Sequence, residues 1–256
     1  SIKVEIYLLV KPYWIGVDML TQKDIESCFN EINKKLSDRG KYGEIVIAGG
    51  AALALLFNAR KATKDIDALF KPSKEFREII EEIAMERDLE KDWLNDGVKG
   101  FFTDKLKTDL YKEYSNLSIY SINAEGLLAL KLTSARTETN DVQDSIILMK
   151  HLNIKNEEQL FDIVQKYTNI NQQTPKCNFF IQEVFERYTN ILDIEKDIKK
   201  SGFKPTQKLV ENIFKLNQAT DRKNTLKDIK KLLTDKEHPS YSLIKEIANE
   251  CKEQEL

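Results

Sequence analysis

The chain has 256 residues, of which 41% are hydrophobic, so it is long enough to bury a core as one large domain or two smaller ones. A formal net charge of −2 gives no overall excess for binding nucleic acid, so a phosphate-binding surface would have to be local. No apolar run approaches the roughly 18 to 20 residues that span a bilayer, and we expect a cytoplasmic protein with no membrane partner. Three cysteines without C-x-x-C spacing and only two histidines argue against a disulfide framework or a zinc site. Carboxylates are therefore the expected chemical groups.

The first predicted helix begins at Thr21, where Asp24 completes a cap with an acidic first turn. Apolar residues then follow at helical spacing until Gly40. Because Met19 directly precedes this helix start, residues 1–18 are interpreted as an N-terminal extension. The sequence leaves open whether that extension is native to the chain or foreign to it.

Strands and helices alternate in the next part of the chain. Residues 44–48 predict a buried strand, Gly49-Gly50 a turn, and residues 51–57 a helix of small residues. A second strand at 65–70 places alternate residues on opposite faces, and a helix follows from 72 to about 87. A third strand at 117–122 precedes helices at 124–135 and 141–152.

Beyond residue 156 the pattern changes to lysine-rich amphipathic helices without a convincing strand. We therefore predict an α+β domain over residues 19–155, followed by an all-α helical bundle over 156–256. Between Lys196 and Lys231 the chain carries eleven basic and four acidic side chains. Such a stretch is either a solvated helix face or a surface for RNA phosphates.

The segment from Gly49 to Asp67 carries the chemistry. Two glycines after a strand let backbone amides approach a phosphate, and the helix that starts there adds the positive end of its dipole. Asp65 and Asp67, two residues apart on a strand, would share a face and suit oxygen coordination of Mg²⁺ beside an NTP. A lone D-x-D is commonly just solvated and a Gly-Gly commonly just a tight turn. Their combination in this order, separated by one helix, favours a metal and nucleotide site.

This segment resembles the polymerase-β-like nucleotidyltransferase superfamily, whose pattern is a hydrophobic strand, Gly-Gly or Gly-Ser, a spacer and Asp-hydrophobic-Asp. More narrowly, it resembles the AbiEii-type (DUF1814) and DUF6036 nucleotidyltransferases, in which an arginine and a Ser or Thr precede the D-x-D, as Arg60 and Thr63 do here. The resemblance extends to a W-L-N-D element at 92–101 and to the later K, R and D-x-x-D positions, which are Lys131, Arg136, Asp141 and Asp144.

The resemblance implies a polymerase-β-like core with a mixed sheet, and an Mg²⁺-dependent transfer of a nucleoside monophosphate from an NTP. It implies four catalytic residues, two of which bind the metal, and these are Asp65, Asp67, Lys131 and Asp141. The implied nucleotide-binding residues are Gly49, Gly50, Thr63, Lys64, Lys131, Arg136 and Asp144. By the same analogy the acceptor is tRNA or protein, and the protein is the toxin of a bacterial toxin–antitoxin or abortive-infection system with a cognate antitoxin.

Several alternatives stay open at this point. Lys131 either snorkels to water from an apolar helix or points into a functional cleft, and Asp141 and Asp144 either complement a helix dipole or belong to the site. Trp93 and Asn95 are interpreted as structural. No acid occupies the strand at 117–122, where many of these enzymes carry a third carboxylate. A catalytically weak nucleotide- or RNA-binding module is therefore the rival hypothesis.

Overall fold

The computed structural model of the chain describes residues 19–57, 62–135 and 141–200, with side chains as far as Asp193. Its strands are β1 (Leu20–Thr21), β2 (Gly43–Ile47), β3 (Ala62–Thr63), β4 (Ile66–Lys71), β5 (Leu94–Asn95), β6 (Thr108–Glu113) and β7 (Leu117–Ile122). Its α-helices are α1 (Gln22–Asp38), α2 (Gly49–Phe57), α3 (Ser73–Arg87), α4 (Ala124–Ser134), α5 (Asp141–His151), α6 (Glu158–Tyr167) and α7 (Pro175–Lys200). Short 3₁₀ helices occupy Gly97–Phe101 and Ile170–Gln172.

The first helix forms as the sequence predicts. The Thr21 hydroxyl accepts a hydrogen bond from the Asp24 amide, and the Asp24 carboxylate accepts one from the Thr21 amide, so both groups of the cap are satisfied. The apolar stripe of α1 is fully buried, and its members are Ile25, Phe29, Ile32 and Leu36. The helix ends before Gly40, whose φ of +60° suits glycine.

The main sheet has five strands in the order β5-β4-β2-β7-β6. Strand β2 is antiparallel to β4 and parallel to β7, whereas β4 is parallel to β5 and β6 is antiparallel to β7. The three predicted strands are confirmed, with β2 and β4 displaced by one residue from the expected positions. The mixed sheet with helices confirms the predicted α+β class of the first domain.

One face of the sheet packs against α1 and α3. The strand residues on this face are buried, and they include Ile45, Ile47, Ala68, Phe70 and Ile119. The rings of Phe70 and Phe76 stack with centroids 5.3 Å apart, which joins β4 to α3. Asp67 lies on the opposite face of the sheet, away from α1 and α3. The candidate site is therefore on the face that these two helices do not cover.

Strand β6 is the longest of the strands that the sequence did not predict, the others being the two-residue strands β1, β3 and β5. It lies at the sheet edge, four of its six residues are exposed, and its register shifts between Leu110 and Lys112. A bulged, solvated edge strand buries neither face completely, so it has no regular apolar alternation to detect.

The helices after the sheet pack on one another, since α4 contacts both α5 and α6. The Tyr167 hydroxyl donates to Glu125 at 2.7 Å and accepts from Asn123 at 3.1 Å, which attaches the end of α6 to the start of α4. The chain divides into two compact units, the first ending at Ile181 and the second beginning at Gln182. Most of the predicted helical bundle and its basic stretch lies outside the described residues, so the boundary at 155/156 stays a prediction. No helix among the described residues is both long and apolar enough to cross a bilayer.

The close approach of β2 to the helix layer can be tested at Gly43. A Cβ at this position would lie 2.6 Å from the Phe76 ring and 2.8 Å from Leu36, so Gly43→Ala should overpack the core. We expect a loss of about 1–3 kcal/mol in the free energy of unfolding, measured by urea denaturation. Gly100→Ala is the control, because a Cβ there meets nothing within 4 Å. Equal stability of the two variants would contradict this packing.

Candidate active site

The glycine turn and Asp67 lie directly against each other. The amide of Ala48, which follows β2, donates to the Asp67 carbonyl at 2.8 Å and so extends the pairing of β2 with β4. Gly49 starts α2 with a φ of +56°, in the left-handed region that favours glycine. A Cβ at Gly49 would lie 2.5 Å from Asp67 Oδ2. The glycine is therefore needed both for its backbone conformation and for the space that the carboxylate occupies.

The two acids of the D-x-D element are partly exposed. Asp67 lies within β4, whereas Asp65 lies one residue before the strand, which begins at Ile66 rather than at 65 as the sequence predicts. Partial burial raises the pKa of Asp65, and the negative charge of Asp67 raises it further, while Lys64 acts in the opposite direction. The two carboxylates are thus close enough to repel each other.

This donor pair fits Mg²⁺. Carboxylate oxygens are the ligands that Mg²⁺ prefers, and proteins commonly supply one or two of them while substrate phosphates and water complete the shell. Among the residues that the structure describes, no group of three His, Cys, Asp or Glu side chains forms a metal cage. Asp65 and Asp67 would therefore hold the ion together with a nucleotide rather than alone.

The register shows where a third carboxylate is missing. Ser118, Tyr120 and Ile122 of β7 share the face of Asp67, and none of them is acidic. On β6, Asp109 pairs with Ser121 and therefore belongs to the opposite face.

Glu113 of β6 shares the Asp67 face, but it is paired with Ser118, which is level with Lys71 of β4. Four residues along a strand correspond to about 13 Å, too far from Asp67 for a shared ion. A third negative charge comes instead from Asp92, which contributes to the raised pKa of Asp65.

The segment after Asp92 holds β5 against β4. The Ile66 amide donates to the Trp93 carbonyl at 2.7 Å, and Asn95 is paired with Asp67. Trp93 is 1% exposed, and its indole nitrogen donates to the Ile80 carbonyl at 3.1 Å. The Asn95 side chain accepts from the Gly97 amide at 2.9 Å. The structural interpretation of Trp93 and Asn95 is confirmed.

The residues before the D-x-D support Asp65. Thr63 is buried, and its hydroxyl donates to the Asp65 carbonyl at 3.1 Å, whereas Lys64 is exposed. Contacts of Thr63 and Lys64 with a nucleotide stay predictions. Arg60 and Arg136 lie outside the described residues.

A second group of predicted residues forms a buried ionic cluster. The Lys131 ammonium lies 2.7 Å from Asp141 Oδ1 and 2.9 Å from Asp144 Oδ2. The lysine side chain is 15% exposed and the two carboxylates 8% and 2%, so Lys131 ends in ion pairs rather than snorkelling to water. Ser134, which the sequence did not single out, donates to Asp141 Oδ2 at 2.7 Å.

The predicted residues thus come together as two groups, one around Gly49, Asp65 and Asp67 and one around Lys131. Helix α2, which begins at the glycine turn, contacts α5, which carries Asp141 and Asp144. At the other ends of these helices the rings of Phe57 and His151 meet edge to face at 4.9 Å. The glycine turn of the first group and the two aspartates of the second group therefore lie on helices that pack together.

A family model described as a nucleotidyltransferase of unknown function (DUF6036) matches residues 23–155, just over half of the chain. The chain belongs to this family. No curated protein and no solved structure matches the sequence. The match spans both groups of residues in this DUF6036 nucleotidyltransferase.

Sequence reasoning missed two residues that interact with the predicted site residues. Asp92 belongs to the W-L-N-D element, but the parallel pairing of β4 with β5 that brings this element beside Asp65 has no local signal. Ser134 lies three residues after Lys131, a helical spacing that places both on one side of α4. That spacing was the available signal for Ser134.

The repulsion between the paired aspartates predicts a pH-dependent stability. Because the folded state raises the pKa of Asp65, ionising it destabilises the fold as pH rises through the aspartate range. Asp67→Asn removes one source of repulsion and should raise the Tm at pH 7 in the absence of metal. The gain should vanish near about pH 3, where carboxyls are protonated. Thermal unfolding of both proteins at pH 7 and at about pH 3 measures this difference in Tm. A variant Tm below that of wild type at pH 7 would contradict the prediction.

The ionic cluster predicts a large stability effect at Lys131. Lys131→Met removes the cation that two buried carboxylates share, so we expect a loss of about 3–5 kcal/mol in urea denaturation at pH 7. Adding Asp144→Asn should restore part of the loss, since one buried charge disappears with the cation. Lys23→Met, at an exposed position of α1, is the control and should stay within about 0.5 kcal/mol of wild type. A Lys131→Met variant as stable as this control would refute the role of the ion pairs.

Proposed function

We propose that this chain transfers a nucleoside monophosphate from an NTP to a macromolecular acceptor, with Mg²⁺ bound by Asp65 and Asp67. The observation that carries the proposal is the contact between the Gly49 turn and the Asp67 carboxylate. It places a helix N-terminus, which favours anions, beside two acids, which favour a cation. An NTP bound with its metal ion has both charges.

The glycine turn would bind the triphosphate. Gly49 and Gly50 begin α2, a helix of nine residues, and both glycines are partly exposed. The first amides of a helix lack partners within it, so they are available to phosphate oxygens. The absence of a Cβ at residue 49 lets a phosphate approach without displacing Asp67.

Asp65 and Asp67 would hold Mg²⁺. The bound ion would neutralise charge on the transferring phosphoryl group and stabilise the attacking and leaving oxygens. Partial burial and the negative charge of Asp67 raise the pKa of Asp65, and a divalent cation would relieve the second of these effects, which supports this assignment.

Lys131, Asp141 and Asp144 enter the proposal through the family resemblance. Their support in the structure is that two carboxylates fix the position of the ammonium, so the lysine is preorganised. A fixed cation near a transferred phosphate would stabilise developing negative charge.

The finer assignment is a toxin of a bacterial toxin–antitoxin or abortive-infection system, acting in the cytoplasm on tRNA or protein and restrained by a cognate antitoxin. Its support is the resemblance to AbiEii-type proteins in the spacing of Arg60, Thr63 and the D-x-D element.

A second candidate function is binding without efficient transfer. The observation that favours it is the lack of an acid level with Asp67 on β7 and β6. If Asp92 does not replace that acid, the protein would bind nucleotide or RNA and turn over slowly.

The test is incubation of the protein with each α-labelled NTP, Mg²⁺, and cellular RNA and protein. We expect one NTP to label one class of polymer, and a chelator to abolish the labelling. Asp65→Asn and Asp67→Asn should each reduce transfer at least about a hundredfold, since metal-ion stabilisation contributes several kcal/mol.

Glu44→Gln is the matched control, because Glu44 is an exposed acid on the same face of the sheet as Asp67. Glu44 is paired with Lys71, which is four residues from Asp67 along β4. The Glu44→Gln variant should keep wild-type transfer. Full activity of Asp67→Asn would overturn the site. Tight NTP binding without labelling of any polymer would instead support the second candidate function.

A further inference from the structure

A row of apolar side chains crosses the sheet on the same face as Asp67. Val46 of β2 is paired with Leu69 of β4 on one side and with Tyr120 of β7 on the other, and Tyr120 is paired with Leu110 of β6. Paired residues share a face, so these four side chains form one line across four strands. We call them the apolar row.

The apolar row is open to solvent. Leu110 is 54% exposed, and Val46, Leu69 and Tyr120 are partly exposed. Their neighbours on the other face, Ile45, Phe70 and Ile119, are buried by the helix layer. With strands about 4.8 Å apart, the row spans about 14 Å, enough for a flat ligand to rest on it.

The row continues directly from the candidate site. Leu69 follows Asp67 by two residues on β4, which corresponds to about 7 Å. The row is level with Val46, the glycine turn begins three residues later at Gly49, and Asp67 is level with Ala48 between them. Asp67 therefore lies between the turn and the row.

This order matters because phosphoryl groups transfer in line. The attacking oxygen enters opposite the leaving oxygen. If the leaving pyrophosphate is held at Gly49-Gly50, the acceptor must approach from the side of the row.

We propose that the apolar row binds the terminal base of a single-stranded RNA acceptor, with Tyr120 as the stacking platform. The proposal rests on the proposed function, since it requires an acceptor to be held beside Asp67. RNA-binding sheets commonly stack bases on aromatic side chains of an open face.

A peptide acceptor fits this surface less well. An extended peptide is held mainly by main-chain hydrogen bonds to a strand edge. Strands β4, β2 and β7 each have neighbours on both sides, so their main-chain groups are already paired. The edge strand β6 lies three strands from β4, about 14 Å from the strand that carries Asp67. A base needs only an apolar or aromatic surface beneath its ring, which the row offers.

The flanking charges predict a mode of binding that depends weakly on salt. Beyond the row, Glu44 and Lys71 form a cross-strand pair, and both are exposed. Glu113 of β6 lies level with them and is also exposed, so this flank carries no excess of positive charge. Stacking rather than phosphate contact should therefore supply most of the affinity at this surface.

The experiment measures binding of a short single-stranded RNA whose 3′-terminal base is 2-aminopurine, using full-length Asp67→Asn protein without NTP. Stacking on Tyr120 should quench the fluorescence. Tyr120→Ala in the same background should weaken binding about 5- to 100-fold and abolish the quenching, because a base–aromatic stack contributes about that factor. Tyr120→Phe should retain both.

Leu110→Ser is the second variant, because an exposed edge residue can be changed without disturbing the fold, and it should weaken binding in the same direction. Met85→Ala is the control, since Met85 is 78% exposed on α3, which packs on the other face of the sheet. It should bind RNA like the parent protein.

Equal RNA affinity in the parent, Tyr120→Ala and Leu110→Ser proteins would overturn the proposal, as would binding without quenching. Labelling of protein but not RNA in the transfer assay would overturn it while leaving the proposed function standing. Failure of the wild-type protein to bind any NTP would remove the proposed function itself, whatever the RNA result.

Discussion

The carboxylate of Asp67 occupies the space in which a side chain at residue 49 would lie, and the site depends on this contact. It requires glycine at the point where β2 ends and α2 begins, and it requires β4 to run antiparallel beside β2 with Asp67 level with the turn. The hydrogen bond from the Ala48 amide to the Asp67 carbonyl holds β4 in this register beside β2. A slip of one residue would turn Asp67 toward the helix layer and replace it with an apolar side chain. The burial of Ile66, Ala68 and Phe70 therefore keeps the acid in place.

Sequence reasoning succeeded where one periodic face is buried. Helix α1 and strands β2 and β4 each have one buried face and one exposed or partly exposed face, whereas β7 is a run buried except at Tyr120. Their apolar patterns predict these elements to within about a residue. It failed at β6, whose two faces are both largely exposed to solvent, and at β5, whose two residues are too few to form a pattern. Strand order was also beyond reach, because the pairing of β2 with β7 joins segments some seventy residues apart through contacts that no local signal encodes. For this reason the sequence could not say which acids share the face of Asp67.

The candidate site shows the same division. The Gly-Gly turn and the D-x-D element were predicted together, because both belong to one β-α-β segment with a known spacing. The partners of Lys131 were predicted only by resemblance, since they lie on a second helix that begins ten residues later. The two alternatives for Lys131 were snorkelling to water and pointing into a functional cleft. Neither included the arrangement in the structure, in which two carboxylates enclose the lysine. Burying one ammonium with two carboxylates is tolerable only where the charges are paired, so composition alone gave no hint of it.

The two charged groups differ in what they can still bind. In the cluster of α4 and α5, the ammonium and the carboxylates already satisfy one another, and Ser134 adds a further hydrogen bond. Asp65 and Asp67 are partly exposed, and partial burial, followed by the negative charge of Asp67, raises the pKa of Asp65. A cation binds most favourably where the fold holds like charges close together, because its binding relieves the electrostatic repulsion between them. Metal and nucleotide are therefore expected at the D-x-D element. The Lys131 cluster, in which two carboxylates hold one ammonium, includes residues of α5, the helix that packs against α2.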